Sequence, residues 1–155
     1  MSTTKMKNIE IIKNYESLIR LQETEKKFFE KTGEKLLQGR VKISFAINRN
    51  LEALRKAIKP YNDTIVEIIE EYRDRDAEKE ALENEKKEAE AEKRKKKEIS
   101  VIMRPGKTKE EYLKKVEELQ NIEIELNIST VSCDLLDGIK LDSFELEPLT
   151  FMIEE

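Results

Sequence analysis

The chain of 155 residues contains no histidine and no tryptophan, and it has one cysteine. Without histidine there is no ordinary general base at neutral pH, no Ser-His or Cys-His pair, and no imidazole ligand for zinc. The lone Cys133 has no partner for an internal disulfide, which fits a reducing compartment. It also has no histidine to activate it, so it reads as a small, partly buried thiol. Glycine and proline together number seven, which predicts few turns and long elements. Aromatic residues are only 6% of the chain. No apolar run approaches a membrane span, and the first residues lack the apolar stretch of a signal peptide. The expectation is a soluble, intracellular protein.

Phosphate-cradling glycine loops, dinucleotide fingerprints, paired-cysteine metal sites and nucleophile elbows are also missing from the sequence. Asp134, Asp137 and Asp142 lack the spacing of a calcium loop and read as turn and cap residues. No catalytic, cofactor-binding or metal-binding residue is therefore expected, and the chain is expected not to be an enzyme.

What is abundant is charge. Hydrophobic residues make up 37% and charged residues 41%, with a net charge of −4. That balance favours a helical, partly extended molecule and gives no global basic field for nucleic acid. Leu51, Leu54, Ile58, Tyr61, Ile65, Ile68 and Tyr72 recur at steps of three and four, the seam of a helix that packs lengthwise on another helix. From Glu70 to Lys97 there are eleven acidic and ten basic residues in twenty-eight, with Tyr72 and Leu82 the only sizeable apolar side chains. A single helix from Val41 to Lys97 would be roughly 85 Å long. Pro60 removes one backbone hydrogen bond but leaves the phase intact, so a kink is expected over Lys56 to Pro60, with a new helix starting at Pro60 as the alternative. Val41 to Ile47 fits both a strand and a helix period, and its stripe runs in phase into the seam, which favours helix.

Before this stretch, Met1 to Lys5 read as frayed. A helix is expected from Met6, with Ile12, Tyr15, Leu18 and Ile19 on one face. Gly33 is a plausible stop, and Gly39 marks the turn into the long helix. The first helix is then the natural antiparallel partner of the seam. After the arm, Ile99, Val101 and Met103 alternate before Arg104-Pro105-Gly106, which suggests a short strand and turn. Thr108 with Glu111 forms a capping-box pattern that starts a helix. Ile122, Ile124, Leu126 and Ile128 alternate with polar residues and give the clearest strand. Its partner is expected among residues 98–103, 40–45 or 138–141. Ser132 to Asp137 reads as a helical turn ended by Gly138, and Phe144 to Ile153 as an apolar tail with Pro148 opening a short helix.

These readings predict one mainly α domain with a small β element. It is a long antiparallel helical hairpin, coiled coil in character, with a kinked central helix, a two- or three-stranded sheet and a short C-terminal helix. Residues 6–72 and 108–155 would form the packed body, and residues 73–107 a projecting charged arm and turn. Candidate partner contacts are Phe28 and Phe29, an adjacent pair that cannot both face one seam, and the basic run Lys93, Arg94, Lys95, Lys96 and Lys97. That run has no interleaved aromatics for base stacking, so it reads first as a solvated helix end and second as a nucleic-acid contact.

The stretches Gln120 to Ile128 and Phe144 to Glu155, with "RVKISFAINRNL" at Arg40 to Leu51, resemble a family of small proteins from tailed phages and prophages of Gram-positive bacteria whose function is unassigned. The resemblance implies a phage or prophage source in a bacterial cell, with possible incorporation into the virion, and it supplies no catalytic residues. Together these readings lead to a non-enzymatic phage protein that docks on another protein, as a virion or tail accessory or as an inhibitor of a host defence factor. The alternatives are a nucleic-acid-associated protein using residues 93–97 and a self-assembling coiled coil using the seam between chains. No cofactor, membrane or small-molecule substrate is expected.

Overall fold

The computed structural model describes residues 2–37, 40–139 and 141–154. Gly39, expected at a turn, lies outside them. The fold is mainly α with a small β element. In order the elements are β1 (Ser2–Lys7), α1 (Asn8–Thr32), α2 (Val41–Tyr72), α3 (Arg75–Glu92), α4 (Lys109–Gln120), β2 (Glu123–Ile128) and β3 (Val131–Ser132). A 3-10 turn (Cys133–Leu136), α5 (Ser143–Leu146), a 3-10 turn (Glu147–Met152) and β4 (Ile153–Glu154) complete the chain. Two compact units are present: residues 1–61 with 120–155, and residues 62–119.

The first unit is built on a sheet whose second strand was not anticipated. Ser2 to Lys5, expected to fray, and Met6 and Lys7, expected to open the first helix, form β1, which pairs antiparallel with β2 in the register Lys5 to Glu125 and Lys7 to Glu123. Each wet-face lysine thus lies opposite a glutamate, a favourable cross-strand pair. On the other face, Met6, Leu126 and Ile128 are buried. Among the described residues, none of the three expected partner segments pairs with β2. The strand flows directly into α1, where the Lys7 backbone N–H donates to the Glu10 carboxylate at 2.7 Å and Asn8 N–H to the Ile122 carbonyl at 3.0 Å. Helix α1 ends where expected: Gly33, at φ +75°, closes it by donating to the Phe29 carbonyl, a conformation that an L side chain resists.

Ile11, Leu18 and Leu21 of α1 join Ile43, Ile47, Leu51 and Leu54 of α2 in one apolar core, completed by Leu149 and Met152 of the C-terminal turn. The Val41–Ile47 segment is helical, as its phase predicted. Two polar clamps tie the C-terminal third to α2 and to the residue just before it. The Asn50 carboxamide, fully buried, accepts from Ser129 N–H at 2.7 Å and donates to the Ser129 carbonyl at 2.9 Å. The Arg40 guanidinium donates to the carbonyls of Leu135 and Asp137. β4 then pairs in parallel with β3, Val131 opposite Ile153. The turn over 133–136 and the helical tail with Pro148 in its first turn form as expected. Asp142 caps α5 by accepting from Glu145 N–H at 2.7 Å.

Helix α2 passes through Pro60 and ends at Tyr72, so no new helix starts at the proline. It does not continue to Lys97. The chain breaks at Arg73–Asp74, because Asp74 accepts from Ala77 N–H at 3.0 Å and caps α3. An extended segment straps the break: Asp74 N–H donates to the Ile102 carbonyl at 2.8 Å and Arg104 N–H to the Tyr72 carbonyl at 2.9 Å. The strand expected over 99–103 is reduced to one bridge, Arg73 with Met103. The turn after it does form, with Lys107 N–H donating to the Arg104 carbonyl at 3.0 Å. Thr108 caps α4 by accepting from Glu111 N–H at 3.2 Å. In this second unit the Tyr72 and Tyr112 rings sit 6.2 Å apart, setting the start of α4 beside the end of α2.

Candidate protein-docking surface

The seam residues occupy two environments. Leu51 and Leu54 are buried in the core of the first unit, with Ile58 packed against it. Tyr61, Ile65 and Ile68 are half-buried, and Tyr72 is buried in the second unit. The partner of the seam is therefore α1 only over its first part.

Of the two expected phenylalanine contacts, Phe28 is half-buried and Phe29 is exposed. Phe29 does not stand alone. The chain reverses after Gly33 and returns as α2, which brings Val41 and Phe45 to the same end of the unit. Val41 is 76% and Phe45 60% exposed. Two adjoining shallow depressions of about 340 and 400 Å³ share Lys35, Leu37 and Ser44; Phe29 lines one, Val41 and Phe45 the other. Such clusters of exposed large apolar side chains mark interaction sites more often than scattered ones do. The Lys35 ammonium stands 6.0 Å from the Phe29 ring centroid, and the Arg49 guanidinium 5.8 Å from that of Phe45. Both are within cation–π range.

The electrostatics of this surface are lopsided. Between residues 25 and 49 there are seven Lys or Arg against Glu25, Glu30 and Glu34. Glu25 lines the same depression as Phe29. Burial pushes its carboxyl above the usual range, with Lys35 pulling it back part of the way. Its Oε1 is buried without a hydrogen-bond partner. Val41, Phe45 and this charge window were missing from the sequence expectations. A local charge count would have revealed the window, but the proximity of Val41 and Phe45 to Phe29 depends on the chain reversal after Gly33.

The other expected contact, residues 93–97, is placed differently. Lys93 ends α3 in the left-handed region at φ 54°. Arg94 then turns back onto carboxylates, pairing with Glu85 and Glu92 and lying 3.8 Å from Glu88. Lys97 N–H donates to Glu85 at 3.1 Å. Arg94 and this N–H hold the Glu85 carboxyl down to about 2. The single guanidinium of the run is thus already occupied by anions of its own chain. Lys93, Lys95 and Lys96 remain exposed.

Among the described residues, no three His, Cys, Asp or Glu gather to hold a metal ion, and no helix is long and apolar enough to cross a membrane. Cys133 is exposed, not partly buried as expected. Comparison with protein families, with curated proteins and with solved structures found no match.

Proposed function

We propose that this is a non-enzymatic phage or prophage protein that works by docking on another protein through the end of its first unit. The observation that carries the reading is the exposed trio Phe29, Val41 and Phe45, set on a basic window. Aromatic and aliphatic anchors surrounded by polar residues are the usual composition of a binding hot spot. The absence of histidine and of any nucleophile–base pair in the sequence supports a role without chemistry. The phage source rests on the sequence resemblance. A virion or tail accessory role and inhibition of a host defence factor both use such a surface.

The nucleic-acid reading through residues 93–97 loses support, because Arg94 would have to leave three carboxylates to meet a phosphate. Use of the seam between chains is likewise disfavoured, since Leu51, Leu54 and Tyr72 are already buried.

The test is affinity purification of the tagged chain from a bacterial host expressing the accompanying phage genes. Wild type and a Val41→Ser/Phe45→Ser variant are compared after both are shown to have the same helical circular dichroism. A partner held in stoichiometric amount by wild type and lost by the variant is expected. Identical recoveries from both would end the docking reading of this surface.

A further inference from the structure

Resting on that docking reading, we infer that the basic–apolar surface at Phe29, Val41 and Phe45 receives the acidic face of α2 from a second copy of the chain. The complement is present in the chain itself. The last part of α2, residues 62–72, carries Asp63, Glu67, Glu70 and Glu71 and no Lys or Arg. Within that stretch Val66 is 51% exposed, and Glu67 and Glu70 are exposed beside it. Helical spacing sets the three on one face, with an apolar side chain flanked by carboxylates. The receiving surface has the opposite arrangement, with apolar rings flanked by Lys35 and Arg49.

Charge decides against the symmetric alternative. Two copies meeting through residues 25–49 would bring two net-positive windows together, which costs free energy at close range. A base-stacking nucleic acid also fits poorly. Val41 is the most exposed of the trio and offers no flat face on which a base could stack. Such a contact leaves one acidic and one basic face unmatched until the assembly closes on itself.

Sedimentation of the purified full chain, from micromolar to high concentration, tests this. Association that rises with concentration in about 0.05 M salt and weakens at least about tenfold in about 1 M salt is expected. Lys35→Glu alone, and Glu67→Lys/Glu70→Lys alone, should each sediment as monomers. An equimolar mixture of the two should associate again, because the unchanged face of each variant still meets its unchanged complement and each reversed face meets a reversed partner. Phe45→Ser should weaken association in both salts. Each variant is first checked for unchanged helical circular dichroism and melting. A wild type that stays monomeric at all concentrations in low salt overturns the second-copy inference. So does a charge-swapped mixture that fails to associate. The wider docking reading fails by a different result, identical partner recoveries from wild type and the Val41→Ser/Phe45→Ser variant.

Discussion

Asn50 is the residue on which the first unit's polar order most depends. It sits fully buried between seam positions, and its carboxamide satisfies both backbone groups of Ser129. Asn50→Leu would leave that N–H and C=O without their partner, and the expected loss is about 2–4 kcal/mol in urea unfolding. A substitution effect below about 0.5 kcal/mol would show that the clamp is dispensable. Nothing in the sequence around Asn50 predicts this, because the Ser129 backbone it satisfies is 79 residues away. Two glutamates carry opposite pH signatures. Glu25 is raised by burial, so its ionisation works against folding above its folded pKa, and this penalty vanishes as pH falls below the unfolded value. Glu25→Gln should therefore raise stability near neutral pH and change little in acid. Glu85 is held low by Arg94 and the Lys97 N–H, so its contribution is full above the unfolded value of 4.5 and is lost as pH falls towards about 2. Glu85→Gln should lower stability near neutral pH, with the deficit disappearing in strong acid. Melting curves of both variants across this range read the two signs directly.

At the scale of elements, periodicity was a good guide where one face is buried. β2, α1, the Val41–Ile47 start of α2 and the capped start of α4 all follow their apolar pattern. It failed for β1, whose Ser-Thr-Thr-Lys-Met-Lys sequence offers Met6 as its only large apolar side chain. That strand is specified by its partner, through the opposed charges of Lys5 with Glu125 and Lys7 with Glu123. It failed again at Arg73–Asp74, where good helix formers lie on both sides of the break. There a cap decides: Asp74 accepts from Ala77 N–H while residues 102–104 bind the freed backbone. Arg73 reinforces the turn by pairing with Glu78, which holds the Glu78 carboxyl below its usual range. Asp74→Ala should cost about 0.5–2 kcal/mol of the stability of the 62–119 unit. Amide exchange that accelerates at the start of α3 would report it, and unchanged exchange there would place the break elsewhere in origin.

Across the whole molecule, the mainly α class and small β element were legible, because composition and seam spacing already demand long helices. The candidate surface was legible only through Phe29. Val41 and Phe45 lie twelve and sixteen positions further on, and only the reversal after Gly33 collects them. The basic run had the reverse fate: conspicuous in sequence, it is partly neutralised by Glu85 and Glu92 once α3 ends. Helix α2 contributes Val41 through Tyr61 to one compact unit and Asn62 through Tyr72 to the other. One ladder of peptide hydrogen bonds is therefore common property. Heat or denaturant that strips the covering from either stretch leaves that stretch a short rod, only marginally helical in water.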